Sequence, residues 1–243
     1  MASHAHTTQL YALVLGFIGW TLTAVALGLI QWRVWQVSHS EVISSGVAWV
    51  GLWRACFDSH TLVTPRFTFM HCRSMGLTEA FTPPEVAAGQ VLMLLSLVVG
   101  LCGNAGGVYA VRNIYFGLEK NSPIRLAFFT TGALCLLAAV MSLIPLLWNL
   151  SSVLTNQTIR FPPEFKMPRA PESQHVGGGV MVGLVGAVLM IVSGMVFCSY
   201  RLPASSQRRP ALRGQAHLDV PVQAVAAGGR GTDNPAFESQ EHL

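Results

Sequence analysis

Four long apolar runs constrain this chain more than any other feature of its sequence. They cover residues 10–31, 86–111, 127–148 and 177–200. Each reaches the roughly 20 apolar residues that a helix needs to cross about 30 Å of hydrocarbon. Within a bilayer such a run must be helical, because a helix satisfies its own backbone hydrogen bonds where water is absent. The sequence therefore predicts four transmembrane helices.

The composition and the small residues of these runs indicate a compact bundle. The chain is 51% hydrophobic and 11% charged, whereas soluble domains carry about a quarter charged residues. Gly179 and Gly183 are four residues apart, so they share one helix face and let a neighbouring backbone come close. The central turns of the runs contain no charged residue, which disfavours a transporter or proton relay. We expect a four-helix bundle without a conduction path through it.

The residues between the runs indicate which side of the membrane each segment occupies. With four spans, both termini lie on one side, and the first and third connecting segments share the other. Asn149 and Asn156 begin glycosylation acceptor patterns, and Cys56 and Cys72 lie where an oxidising exterior lets thiols pair. The expected extracellular segments are 32–85 and 149–176. The expected cytosolic segments are 1–9, 112–126 and 201–243.

The first extracellular segment shows the period-two alternation of β-strands. Trp49, Gly51 and Trp53 would share one face of a strand. A second set with the same spacing is Phe67, Phe69 and His71. We therefore predict a small antiparallel sheet in this segment.

The remaining connecting segments offer less regular structure. The second extracellular segment holds four prolines, which exclude a long helix and leave a loop with at most one short strand. The tail 201–243 is rich in Pro, Ala, Ser, Gly and Arg and is predicted to be disordered.

The two external cysteines admit three interpretations. A bond between Cys56 and Cys72 would close a loop of about 17 residues and stabilise the fold by roughly 3 kcal/mol. Unpaired thiols are the first alternative. A metal site that adds His60 and His71 is the second, although this spacing matches no zinc pattern.

The other three cysteines lie inside the apolar runs, where small buried hydrophobes are the simplest interpretation. They are Cys102, Cys135 and Cys198. Cys198 stands at the expected cytosolic end of the fourth run, which also makes it a candidate for palmitoylation.

The sequence offers no support for catalysis, a cofactor or nucleic-acid binding. It contains no nucleophile elbow, metal-binding helix or phosphate loop. The net charge is +4, but the basic residues are scattered. We interpret them as facing the anionic inner leaflet of the lipid bilayer.

The order of tryptophans and cysteines resembles one known family. Trp32, then Gly51, Leu52 and Trp53, then Cys56 and Cys72 stand as the tryptophan, Gly-Leu-Trp and paired cysteines stand in claudins. Further similar positions are Gln31 to Val34, Pro84 to Ala88, Leu143 to Pro145, and Trp148. The similarity covers about residues 10–200, and the chain resembles a divergent claudin.

Several positions depart from the family pattern. The two cysteines are farther apart than is usual, which implies a longer hairpin between them. Gln90 stands near a position where claudins generally have an arginine, so a family contact is expected to be missing there. The second extracellular segment lacks the Gly-Leu-Tyr and Gly-Trp pattern that leads into the fourth span. The chain ends at Leu243 without the usual Tyr-Val.

The resemblance implies an all-α membrane bundle of four helices capped by a disulfide-stapled antiparallel extracellular sheet. It implies a tight-junction protein of the plasma membrane that binds itself and other claudins in cis and trans. The strands so formed would seal or selectively permeate the space between cells. The alternative is a relative with the same signature, such as an epithelial or myelin-type membrane protein or an auxiliary channel subunit.

The resemblance also assigns roles to individual residues. Arg73 follows the second cysteine, where claudins often set charge selectivity; the alternative is a solvated arginine in a charge-balanced segment. Phe161 and Pro162 lie where claudins contact the opposing cell; the alternative is a loop that packs on the sheet.

The end of the chain suggests a cytosolic partner. Leu243 supplies a hydrophobic carboxylate terminus of the kind that extends the sheet edge of a PDZ domain. Glu241 fits the less common acidic type of such ligands. The alternative is a tail that binds no PDZ scaffold.

Overall fold

The computed structural model describes residues 2–37, 46–60, 68–116, 123–163 and 170–200. Phe67, Glu241, Leu243 and the predicted disordered tail lie outside these residues. The described helices are α1 (Ala2–Gly28), α2 (Pro84–Tyr115), α3 (Pro123–Leu154) and α4 (Gly178–Cys198). The described strands are β1 (Arg33–Gln36), β2 (Val47–Val50), β3 (Arg54–His60), β4 (Thr68–Ser74) and β5 (Ser173–Val176).

All four described helices are long and apolar enough to cross a membrane, as predicted. Helices α2 and α3 are each 32 residues long, which corresponds to about 48 Å at 1.5 Å per residue. They are therefore longer than the apolar runs 86–111 and 127–148 from which they were predicted. Helix α2 begins with Pro84 and Glu85, because proline suits the first turn and a carboxylate favours the positive end of the helix.

The strands form one five-stranded antiparallel sheet in the order β4-β3-β2-β1-β5. The first four come from the segment between α1 and α2. Strand β5 comes from the segment before α4, which agrees with the prediction of at most one short strand there among the described residues. Pairing of β1 with β5 brings the two connecting segments into a single sheet.

The expectation that Trp49, Gly51 and Trp53 share one strand is wrong. Strand β2 ends at Val50, and a hydrogen bond from Gly51 N to Arg54 O at 3.0 Å closes a turn before β3. A Cβ on Gly51 would lie 2.8 Å from Ile30 Cα. The turn therefore needs glycine because it presses against the end of α1.

Glycines set the closest helix contacts in the bundle. A Cβ on Gly19 of α1 would lie 2.7 Å from Gly186 O of α4, and one on Gly186 would lie 2.8 Å from Gly19 O. Gly132 of α3 and Gly194 of α4 form a second reciprocal pair, at 2.7 and 2.9 Å. Helix α4 is thus held by backbone contacts on two sides, as small residues in membrane helices allow.

The close approach predicted at Gly179 and Gly183 is also present, but its partners differ from those expected. Side-chain atoms of Leu146 lie nearest to Gly183, and the ring of Trp32 lies against Gly179. These glycines therefore make room mainly for large side chains rather than for a helix backbone.

Substitution of Gly19 by Ala tests the backbone contact between α1 and α4. The added methyl group meets a carbonyl oxygen that only a helix shift can relieve, so we expect the free energy of unfolding to fall by about 1–3 kcal/mol. Gly28→Ala is the matched control, because no atom lies within 4 Å of its added Cβ. Thermal unfolding of both variants in nanodiscs measures the difference. Equal midpoints would show that the contact does not hold the helices.

Candidate functional site: the stapled sheet and the ion pair beneath it

The two faces of the sheet have different surroundings. Arg33 and Trp35 of β1 are fully buried, and Trp35 shares one hydrophobic cluster with Leu146 of α3 and Val180 of α4. We call this the inner face, because it packs on the helices. The register places Val34, Trp49, Cys56, Cys72 and His175 side by side on the opposite, outer face.

A disulfide joins the two strands farthest from β5. Cys56 of β3 and Cys72 of β4 are direct cross-strand partners with Cα atoms 4.1 Å apart, and they are bonded. The bond confirms the first interpretation of these cysteines. Because both sulfur atoms are in this bond, neither cysteine offers a thiolate to a metal ion. This contradicts the alternative of a metal site formed with His60 and His71. Because β4 is an edge strand of the sheet, the disulfide ties that edge to its neighbour.

The signature residues join the sheet to the helices. Trp32 is buried and donates from its indole nitrogen to Ala26 O at 2.7 Å, in the last turns of α1. Leu52 is buried against Gly89 of α2, where an added Cβ would lie 2.7 Å from Leu52 Cδ2. Trp53 is half-buried against the same cluster. These residues therefore fix the position of the sheet on the bundle.

Gln90 makes the contact that was expected to be missing. Its side chain is fully buried in α2, and its amide nitrogen donates to Leu52 O at 2.6 Å and to Met75 O at 2.9 Å. A neutral amide thus links α2 to the residues on both sides of the disulfide hairpin. Glutamine in place of the arginine that claudins generally have changes the charge of the contact, but the contact itself is kept.

A buried ion pair lies beneath the inner face. Nη2 of Arg33 in β1 is 2.7 Å from Oε1 of Glu85 in α2, and the two residues are 0% and 4% exposed. Ser152 of α3 donates to the same oxygen at 3.0 Å. Arg33 also donates to Asn149 Oδ1 at 3.4 Å and to Gln157 O at 3.5 Å. This network joins β1, α2, α3 and the loop that follows α3.

The charges of this network depend on each other. Burial lowers the pKa of the Arg33 guanidinium, while the hydrogen bond and the negative charge of Glu85 raise it. Removal of either partner would leave a buried charge without compensation, which costs more than the pair itself contributes.

Sequence reasoning missed this ion pair. Arg33 and Glu85 belong to the segment that was interpreted as charge-balanced, so no pair was expected, and both are in fact buried. Both residues stand near the ends of apolar runs, where a surface charge and a buried pair give the same local pattern.

The two glycosylation candidates have different environments. Asn149 is 1% exposed, lies inside α3 and accepts a hydrogen bond from Arg33. The expectation of a glycan on Asn149 is therefore wrong for the folded protein, because α3 continues beyond residue 148 and carries Asn149 into the interior. Asn156 is exposed in the turn after α3, with a φ of 54°. Asn156 stays a candidate acceptor.

Phe161 is half-buried and packs on the inner face of the sheet. Its ring lies 5.5 Å from that of Trp35 and 6.2 Å from that of Phe81, measured between centroids. This geometry supports the interpretation of a loop that packs on the sheet. Pro162 is half-buried beside it.

Arg73 lies on the edge strand β4. It is the cross-strand partner of Ala55, and alternation places it on the inner face in the same row as Val50 and Arg33. Arg73 is exposed whereas the other three are buried. The β4 edge is thus less covered than the rest of the inner face. Cys198, the candidate for palmitoylation, is the last residue of α4 and is half-buried.

Comparison with known proteins agrees with this architecture. A family profile described as PMP-22/EMP/MP20/Claudin tight junction matches residues 17–199. This chain belongs to the claudin family. It is 26% identical to claudin-3 of Rattus norvegicus over 186 residues, which are 76% of this chain and 78% of the relative. It is 24% identical to claudin-2 of Mus musculus over 192 residues, or 78% and 76%. With its four apolar helices, this claudin is a multi-pass membrane protein.

Replacement of Arg33 by Met tests the buried ion pair. The variant leaves the Glu85 carboxylate buried without its cation, so we expect the free energy of unfolding to fall by about 3–5 kcal/mol. Chemical unfolding in detergent micelles, followed by tryptophan fluorescence, measures the loss.

Two further variants separate charge from packing. The double variant Arg33→Met/Glu85→Met removes both charges and should recover most of the lost stability. Arg54→Met removes an exposed arginine of β3 and should change the stability by less than about 0.5 kcal/mol. A double variant as unstable as the single variant would refute the role of the ion pair.

Proposed function

We propose that this claudin forms cell-cell strands at tight junctions that seal or selectively permeate the paracellular space. The observation that carries the proposal is the rigid sheet. A disulfide staples its edge, and the Arg33–Glu85 pair fixes it to α2. A platform held in this way loses little conformational freedom when it binds another surface, which favours repeated protein contacts.

The proposed orientation places the sheet outside the cell and both termini in the cytosol. The disulfide supports this orientation, because such bonds persist in oxidising compartments. The exposed acceptor Asn156 lies at the same end of the bundle. The partners in this arrangement are further copies of the chain and other claudins, in cis and in trans.

The cytosolic partners belong to the same proposal. A PDZ scaffold would bind the chain end through Leu243, with Glu241 as the acidic residue two positions before it. Palmitoylation of Cys198 would hold the end of α4 to the inner leaflet.

A second candidate function is an auxiliary role within one membrane, for example as a channel subunit or an epithelial or myelin-type protein. Two observations favour it. The matching family profile also covers PMP-22, EMP and MP20. In addition, Phe161 packs against Trp35 and Phe81, which reduces the surface that it can offer to an opposing cell.

Expression in epithelial cells that lack native strands distinguishes the two functions. We expect continuous strands at cell contacts and a raised transepithelial resistance. The variant Cys56→Ser/Cys72→Ser should lose both, because the β4 edge is no longer stapled. Cys102→Ser, which alters an exposed thiol in α2, serves as the control. Diffuse surface staining with co-purified channel subunits would instead favour the auxiliary function.

Reversal of the charge at Arg73 tests selectivity. In the proposed strands, the positive side chain of Arg73 repels cations that pass between the cells. Arg73→Asp should therefore raise the cation-to-anion permeability ratio. The expected rise in cation permeability is up to about thirtyfold, since about 1 kcal/mol of repulsion at 4 Å in water is replaced by about 1 kcal/mol of attraction. The dilution potential of an expressing monolayer measures it. Arg54→Asp, on the neighbouring strand, is the control, and an equal effect from both variants would contradict a specific role for Arg73.

A further inference from the structure

A groove lies between α1 and α2 at the end of the bundle away from the sheet. Its cavity volume is about 470 Å³. The walls are apolar, with Leu10 and Leu13 on α1 and Val108, Val111 and Ile114 on α2. The groove therefore lies where α1 begins and where α2 ends.

The surroundings of the groove identify the chemistry of its occupant. Both walls belong to helices of membrane-spanning length and composition. Tyr11 and Tyr109, which are next in sequence to lining residues, are exposed, as aromatic residues near a lipid headgroup region commonly are. An apolar groove between two helices of this kind fits the acyl chain of a membrane lipid.

The end of the groove is polar and positively charged. Arg112, in the last turn of α2, lines the groove and holds its guanidinium 6.0 Å from the centroid of the Phe116 ring. Thr7, at the start of the α1 span, lies on the facing wall. An arginine at the membrane surface between two helices binds phosphate through charge-assisted hydrogen bonds.

A buried polar group completes this end of the groove. Gln9 lines it and is 5% exposed. Its amide nitrogen donates to Val196 O at 3.5 Å, and its oxygen has no hydrogen-bond partner among the described residues. The groove thus combines a long apolar wall with a short polar end, which is the pattern of a phospholipid and not of a soluble ligand.

We propose that this groove binds one anionic phospholipid, with an acyl chain between α1 and α2 and the phosphate at Arg112. In the orientation proposed above, the site faces the cytosolic leaflet, where anionic lipids concentrate. The site goes beyond the barrier function and does not depend on strand formation. The bundle thus has one selective lipid-binding site, which lies between α1 and α2.

Native mass spectrometry of the full-length protein tests the site. The protein is incubated with equal amounts of phosphatidylserine and phosphatidylcholine in detergent. We expect about tenfold more retained phosphatidylserine than phosphatidylcholine. Val108→Trp fills the groove and should lower the retained phosphatidylserine about tenfold. Arg112→Gln should abolish the preference between the two lipids, and Arg112→Lys should preserve it.

Two control variants separate the groove from the general lipid surface. Val98→Trp places the same bulk on a part of α2 that is 61% exposed and does not line the groove. Arg125→Gln removes an exposed arginine from the start of α3. Both should retain lipid like the unaltered protein. Circular dichroism and size-exclusion elution confirm that each variant is folded.

Three results would overturn the proposal. The first is equal retention of the two lipids by the unaltered protein, which would indicate unselective annular lipid. The second is an unchanged preference in Arg112→Gln. The third is that the groove binds a second copy of the chain in place of lipid, and that Val108→Trp abolishes this association.

Discussion

The ion pair between Arg33 and Glu85 is the constraint on which the rest of the fold depends. It is buried where β1, α2 and α3 meet, and Ser152, Asn149 and the backbone of Gln157 add further hydrogen bonds to it. A charge in such a place tolerates little displacement, because any shift exposes it to an apolar environment without its partner. The sheet must therefore lie on the helices in one position. That position determines where each residue of the outer face is presented.

The signature of tryptophans and cysteines serves the same purpose by other means. Trp32 closes the end of α1, Leu52 enters the space left by Gly89, and the disulfide holds the free edge of the hairpin. Gln90 adds two hydrogen bonds to the backbone on either side of that hairpin. These contacts explain in physical terms why the signature accompanies a particular fold: its members are the joint between a sheet and a bundle.

Sequence reasoning predicted the parts of the structure that local patterns encode. Apolar length predicts the four helices, and cysteine placement predicts the disulfide. It failed where the outcome depends on residues distant in the chain. The turn at Gly51 presses against Ile30, and Asn149 is buried beside an arginine 116 positions away. A charged residue next to an apolar run gives the same local sequence pattern whether it faces solvent or a buried partner. The sequence therefore did not distinguish the ion pair from surface charges.

The reciprocal glycine contacts of α4 have a mechanical consequence. Gly186 meets Gly19 and Gly194 meets Gly132, backbone against backbone, on two sides of the same helix. A Cβ at any of these four glycines would lie under 3 Å from a backbone oxygen of the partner helix, so sliding α4 along a neighbour would press a bulkier residue against that backbone. Helix α4 is therefore held in one register against α1 and α3 at the same time.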